Sequence, residues 1–146
     1  MAWDKNDLIP QTEITEKVTN VTVDFAKRFG AYLGENEMKF DEKKKKDVVD
    51  RAKLTTSQLR KFFGEVKRQQ MSGYDETDFV LLKPKLAYAV GRAKDSKAKI
   101  NDFYKVISNA IDNVRTEAHF KNFIKVFEAI VAYHKAAEES KLSDNN

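Results

Sequence analysis

Apolar residues recur at three- and four-residue spacing through most of the chain, which is the pattern of amphipathic helices. This spacing predicts a first helix over residues 12–34, capped by Thr12 and ending near Gly34. Its apolar stripe consists of Ile14, Val18, Val21, Phe25, Phe29 and Tyr32. A second helix is expected after Leu54, capped by Thr55, Thr56 or Ser57. Its buried face comprises Leu59, Phe62, Phe63 and Val66.

The same spacing predicts three further helices in the second half of the chain. The third turns Phe79, Leu82, Leu86, Ala89 and Val90 toward the core. Pro84 either kinks this helix or marks its true start. The fourth runs from about Ala98 to Val114, with inward positions Ile100, Phe103, Ile107, Ala110, Ile111 and Val114.

The fifth predicted helix begins near Thr116 and has an unusually wide apolar arc. One stripe is Phe120, Phe123, Ile124, Phe127 and Val131, and a neighbouring one is Val126, Ile130 and Tyr133. An arc of this width is typical of a helix at the centre of a bundle, or of one that meets a partner protein.

Two stretches lack helical periodicity. Residues 35–53 are expected to be a charged linker that is either mobile or ordered on assembly, in which Lys43 to Lys46 are either simply solvated or also touch an anionic ligand. Residues 139–146 are expected to fray. The sequence therefore predicts an all-α, compact single-domain bundle of about five helices over residues 1–146, with residues 54–138 as a four-helix core.

Composition restricts the environment of the chain. It contains no cysteine, so disulfides and thiolate chemistry are excluded and a reducing compartment suits it. Its start, MAWDKNDLIP, lacks a signal-peptide pattern, and no apolar run approaches the ~20 residues that span a bilayer. We therefore expect a soluble protein of the cytoplasm.

Positive charge is concentrated in the middle of the chain. Residues 39–94 carry 15 basic and eight acidic side chains, whereas residues 1–38 carry four and seven. Such concentration indicates a polyanionic partner more than general solubility.

The basic residues follow the predicted helices. Opposite the apolar face of the second helix lie four cations with Gly64 at their middle: Arg60, Lys61, Lys67 and Arg68. A glycine in an exposed helix costs about 1 kcal/mol relative to alanine. Either something bulky and anionic lies against this face, or the face is an ordinary solvated one with an incidental glycine.

The third helix adds an outward stripe of Lys85, Tyr88 and Arg92. Two cations around an aromatic ring suit a sugar–phosphate backbone and an exposed base or ribose, although a surface tyrosine between two cationic stems is the simpler alternative. Lys53 and Arg60 also flank the N-terminus of the second helix, where free N–H groups favour a phosphate. We hypothesise one continuous track formed by Arg60, Lys67, Lys85 and Arg92.

Catalytic and metal-binding patterns are missing from the sequence. His119 and His134 have no partner at metal-ligand spacing, and no phosphate loop, nucleophile elbow or HExxH motif occurs. We therefore expect no enzyme activity, no cofactor and no metal. Glu128, beside the apolar arc of the fifth helix, is interpreted as structural.

Three phrases resemble a known family in order and spacing. LTTSQLRKFF, LLKPKLAYAVGR and FEAIVAYHK, within Leu54 to about Ala137, are similar to the small helical subunit of the Csm complex, the type III-A CRISPR–Cas effector. The charged stretch before Leu54 is expected to be this chain's own variation.

The resemblance implies a non-catalytic RNA-binding subunit of antiviral defence that stacks in several copies along the ribonucleoprotein. Its partners would be guide RNA and target RNA, the repeated backbone subunits, the large subunit and neighbouring copies of itself. Contacts would go to the RNA backbone without sequence specificity. The resemblance carries RNA contact over to Thr55, Thr56, Arg60, Lys83, Lys85, Tyr88 and Arg92, and packing or neighbour contact over to Glu128 and Tyr133.

Two readings from other classes stay open. A helix-turn-helix-like DNA-binding module would read bases with the start of its third helix, but that end is Phe79, Val80, Leu81 and Leu82, which lack base-reading groups. A protein–protein adaptor without nucleic-acid contact would dock through the wide apolar arc of the fifth helix.

Overall fold

The computed structural model describes residues 2–94 and 97–144, with side chains as far as residue 140. It is mainly helical, and its described helices are α1 (Gln11–Thr15), α2 (Asn20–Gly34), α3 (Arg60–Ser72), α4 (Glu76–Val80), α5 (Leu82–Arg92), α6 (Lys97–Asp112) and α7 (Glu117–Asp144). Two strands, β1 (Glu37–Asp41) and β2 (Lys46–Arg51), form an antiparallel hairpin. The predicted all-α class is therefore wrong in this one respect.

The hairpin replaces the central part of the predicted 35–53 linker. The Asp41 carboxylate accepts hydrogen bonds from the backbone N–H groups of Lys43 and Lys44, at 2.8 and 3.1 Å, and so closes the turn. Lys45 adopts the left-handed conformation there, with φ of 55°. The four consecutive lysines thus occupy a turn and the first position of β2.

The predicted first helix is two helices, because the chain breaks at Glu16–Val18. Thr19 caps α2, and the buried Glu13 carboxylate of α1 reaches across the break. It accepts hydrogen bonds from the backbone N–H and the hydroxyl of both Thr19 and Thr22, at 2.7–3.0 Å. The break turns Val21 to solvent, whereas Ile14, Phe25 and Phe29 of the predicted stripe are buried.

The predicted third helix is also divided. α4 ends at Val80 and α5 begins at Leu82, so Pro84 lies in the first turn of α5, where its missing N–H has no helical acceptor to lose. Of the two alternatives for Pro84, the structure selects the start of a helix.

Helix α7 is the central element. Its buried side chains include Phe120, Phe123, Val126, Phe127 and Ile130, which confirms the wide apolar arc as core. α2 packs along it closely, and aromatic rings from α3, α4 and α6 pack against Phe123 and Phe127. All six inward positions predicted for the fourth helix are buried. α7 remains helical to Asp144 where a frayed tail was expected, and residues 145 and 146 lie outside the described residues.

Two glycines differ sharply in surroundings, which predicts opposite effects of the same substitution. A Cβ at Gly30 would lie 2.6 Å from Tyr133 Cβ and 2.7 Å from the His134 backbone nitrogen. Gly30→Ala should therefore destabilise the fold by about 1–3 kcal/mol. At Gly64 a Cβ would meet no described atom within 4 Å outside its own helix and chain neighbours.

Gly64→Ala should accordingly stabilise the protein by about 0.5–1 kcal/mol, since alanine is the better helix former. Urea denaturation of the two variants measures both effects. Equal losses of stability would contradict the close packing of α2 on α7.

The hydrogen bonds that the Glu13 carboxylate accepts across the break between α1 and α2 predict that the stability of the fold depends on pH. Burial by itself would raise the pKa of Glu13, but the hydrogen bonds from Thr22 and Thr19 outweigh that effect and lower the pKa below its ordinary 4.5. A lowered folded-state pKa means that the ionised group stabilises the fold above pH 4.5, and that this contribution is lost as the pH falls through the folded-state pKa.

Glu13→Gln should therefore lower the free energy of unfolding at pH 7 by about 1.5–3 kcal/mol. The difference between the two proteins should shrink as the pH is lowered below 4.5. Parallel unfolding curves from pH 7 to pH 3 measure it, and a difference independent of pH would rule out the ionised junction.

Candidate nucleic-acid interface

An open groove of about 520 Å³ lies between α3 and α5. Its basic and aromatic lining residues are Arg60, Lys61, Lys85, Tyr88, Arg92 and Lys94. The first five were predicted from sequence to contact RNA, so the structure brings about half of the predicted set to one surface.

The groove follows from the way the two helices are buried. Phe62 and Val66 of α3, and Leu82 and Leu86 of α5, are in the same core. Because each helix turns its apolar face inward, the opposite faces emerge side by side at the surface. All six basic and aromatic lining residues are exposed.

Glu65 is an acidic group that pairs with one of the groove cations. It is half-buried on α3, and its Oε1 atom lies 2.8 Å from Lys85 Nζ. Arg68 also donates to Glu65 and, at 3.0 Å, to Asp78. The hydrogen bond from Arg68, and after it the one from Lys85, lowers the pKa of Glu65 to about 2. Glu65 is therefore ionised at neutral pH and offsets part of the charge of these two cations.

The remaining groove cations are less engaged in ion pairs than Lys85. Within the described part of the chain, Arg60, Lys61 and Arg92 form no ion pair with a carboxylate. The Arg92 guanidinium lies over the Tyr88 ring, 5.6 Å from its centroid, and the tyrosine is 66% exposed. Positive charge and an accessible aromatic ring therefore stand together.

The other predicted residues lie elsewhere or are engaged within the fold. Lys83 Nζ is 2.6 Å from Asp112 on α6, and Arg68 is held by its two carboxylates. Lys67 lines a second groove, between α3 and α7, so the predicted track of Arg60, Lys67, Lys85 and Arg92 is divided between two surfaces. The backbone N–H of Lys53 donates to Asn36 at the base of the hairpin, at 2.7 Å.

Backbone N–H groups just before α3 are hydrogen-bonded by side chains of the protein itself. Thr55 and Gln58 form a capping box, in which the Thr55 hydroxyl accepts from the Gln58 N–H and Gln58 Oε1 accepts from the Thr55 N–H. A short 3₁₀ turn, Ser57–Leu59, then leads into α3. The Thr56 N–H donates to the Glu138 carboxylate of α7, at 3.1 Å. A carboxylate thus takes the place that the sequence suggested for a phosphate.

Sequence reasoning overlooked two groups at this site. Lys94 follows the end of α5, outside the helical stripe in which cations were sought. Glu65 was ignored because it is acidic, although its three-residue spacing from Arg68 is a recognisable ion-pair signal. Glu128, interpreted as structural, accepts a hydrogen bond from Gln70 of α3 at 3.0 Å.

The groove offers hydrogen-bond donors, positive charge and a π surface. Among the described residues, no group of three or more His, Asp or Glu side chains could hold a metal ion. Within residues 2–94 and 97–144, no helix combines the length and apolar character that crossing a bilayer requires. The α3–α5 groove, with its hydrogen-bond donors, positive charge and aromatic ring, suits the phosphates and sugars of a nucleic acid.

Comparison with known families gives a match over most of the chain. The Csm2 Type III-A family model matches residues 41–140, from the end of β1 through most of α7. The chain belongs to this family. It is therefore a small subunit of the type III-A CRISPR–Cas Csm complex. No curated protein and no solved structure matches the chain.

The match confirms the family indicated by the three sequence phrases, which all lie within it. It also begins 13 residues before Leu54, so it includes the turn and second strand of the hairpin. The part of the charged stretch from residue 41 onward thus belongs to the matched region.

Proposed function

We propose that this Csm2-family subunit binds the backbone of the guide RNA–target RNA pair through the α3–α5 groove, without reading its sequence. The observation that carries the proposal is the convergence of Arg60, Lys61, Lys85, Tyr88 and Arg92, from two helices, on one exposed surface. Lysine and arginine contacts to phosphates are indifferent to the bases, which suits a complex that accepts any guide sequence.

The number of cations sets the expected strength of binding. Three groove cations have no carboxylate partner among the residues that the structure describes; together with Lys94 and a Lys85 shared with Glu65, they neutralise only a few phosphates. A single subunit should therefore bind weakly and with strong salt dependence. Copies aligned on one RNA gain affinity by multivalency, because each later contact is made at high effective concentration.

Within the complex, the partners of this surface would be the guide and target RNA. The repeated backbone subunits, the large subunit and neighbouring copies would contact other faces. No catalytic step is assigned to the subunit in this proposal; it holds and positions RNA.

Charge reversal in the groove tests the proposal. Arg60→Glu with Arg92→Glu should lower RNA affinity by more than about tenfold and reduce the slope of log affinity against log salt by about 2. Fluorescence anisotropy with two labelled RNAs of different sequence, at two salt concentrations, measures both quantities.

The matched control makes the same change of charge on exposed positions of α7 that do not line the groove, Lys121→Glu with Lys125→Glu. It should leave RNA binding nearly unchanged. Helical circular dichroism should be the same for all three proteins. Unaltered RNA binding by the groove variant would refute the proposal.

Tyr88 provides a second test, which isolates stacking from charge. Tyr88→Ala should weaken RNA binding by about 1–3 kcal/mol, the usual value of one aromatic stacking contact, whereas Tyr88→Phe should retain it. Neither substitution alters the formal charge, so the salt slope should stay the same. Equal affinities of the alanine and phenylalanine variants would remove Tyr88 from the interface.

A further inference from the structure

The α3–α5 groove has neutral polar lining residues as well as cations and a tyrosine. Ser57 and Gln58, from the 3₁₀ turn that precedes α3, line it, and both are exposed. Gln58 comes three residues before Lys61, and residues at this spacing share one side of a helical segment. A neutral amide therefore lies on the same side as a cation in the same groove.

The orientation of the Gln58 amide is fixed by Thr55. The Thr55 backbone N–H can only donate, and it lies 2.8 Å from Gln58 Oε1, so this atom is the amide oxygen. The Thr55 hydroxyl donates to the same oxygen, at 3.0 Å. Both lone pairs of Oε1 are thus used within the capping box.

The nitrogen of this amide keeps its hydrogen-bonding capacity. Nε2 carries two hydrogens, and the hydrogen bonds of Gln58 within the described part of the chain use only its backbone N–H and Oε1. Nε2 projects away from the oxygen that Thr55 holds. Because Gln58 lines the groove and Thr55 does not, the end of Gln58 that borders the groove is its donor end.

A donor-only amide restricts what Gln58 can recognise. Glutamine reads adenine through its oxygen and its nitrogen together, and here the oxygen is already occupied. Base recognition of this kind is therefore excluded. Along an RNA strand, the remaining acceptors are phosphate oxygens, which charged side chains bind more strongly than a neutral amide does, and ribose 2′-hydroxyls.

We propose that Gln58 Nε2 donates a hydrogen bond to a ribose 2′-hydroxyl and so makes the α3–α5 groove select RNA over DNA. This inference rests on the proposed function, since it requires a nucleic-acid backbone in the groove. Arg60 and Lys61 would hold phosphates, and Gln58 would contact a sugar beside them. Selection through the sugar keeps the contact indifferent to base sequence.

A duplex without 2′-hydroxyls tests the contact. The two probes are an RNA duplex and a duplex of the same sequence in which fluorine replaces every 2′-hydroxyl, which keeps the A-form that DNA would lose. The unaltered protein should bind the hydroxyl duplex about two- to tenfold more tightly, as one hydrogen bond between neutral groups provides. Fluorescence anisotropy measures both affinities, and equal affinities would overturn the proposal.

Gln58→Glu removes the donors and keeps the local fold. Glutamate retains the Oε1 acceptor and also completes a capping box with Thr55, so helical circular dichroism should not change. The added negative charge should weaken binding of both duplexes, but the preference for the hydroxyl duplex should disappear. A preference as large as that of the unaltered protein would overturn the proposal, because it would place the 2′-hydroxyl contact elsewhere.

Lys61→Met is the matched control for charge. It also makes the groove more negative by one charge, but it leaves the Gln58 amide in place. Binding of the two duplexes should weaken by similar factors, so the preference for the hydroxyl duplex should be retained. If this variant lost the preference as completely as Gln58→Glu does, the assignment to Gln58 would be overturned.

These measurements separate the role of Gln58 from the proposed function. If the chain with Arg60→Glu and Arg92→Glu binds RNA as the unaltered protein does, RNA lies outside this groove and both proposals fail. If that chain loses RNA binding while the unaltered protein does not distinguish the two duplexes, the groove binds RNA and only the role of Gln58 is overturned.

Discussion

The close contact between α2 and α7 is the constraint on which the remaining architecture depends. At Gly30 and Gly34 the two helices approach so nearly that an added Cβ would lie within 3 Å of atoms of α7. Phe25, Phe29 and Leu33 of α2 are buried, and the rings of Phe25 and Phe29 pack against each other and Phe29 packs against Trp3. The close contact also fixes where α2 ends, and therefore where the hairpin leaves the helical body and where the chain returns to it.

The segment that follows the hairpin is held on α7 by two polar side chains of that helix, His134 and Glu138. The Leu54 backbone N–H donates to Leu33 O of α2, at 2.7 Å. Its carbonyl accepts from His134 Nε2, at 2.6 Å, and the Thr56 N–H donates to Glu138. Burial lowers the pKa of His134, so the imidazole is neutral at neutral pH and carries its proton toward the carbonyl. These bonds set the start of α3, and with it one wall of the basic groove.

Local patterns predicted most of the helical core and five of the six basic and aromatic residues that line the groove. Helical periodicity identified five of the buried positions of α6 but not Lys99 or Val106, and it separated Phe62 and Leu86 from the outward cations Arg60 and Arg92. Such positions depend on one helix and one core, which a single sequence reveals.

Features that depend on distant partners were missed. The break before α2 depends on Glu13 reaching six and nine residues along the chain. The anion site at the start of α3 is filled by Glu138, 82 residues away. The hairpin is too short and too charged for its alternation to stand out from a linker. Lys67 does not lie with the other residues of the predicted track because it is on the side of α3 that faces α7. The helix α5 lies on the other side. A helical wheel assigns a residue to one face of its helix, but the neighbouring helices determine which groove that face lines.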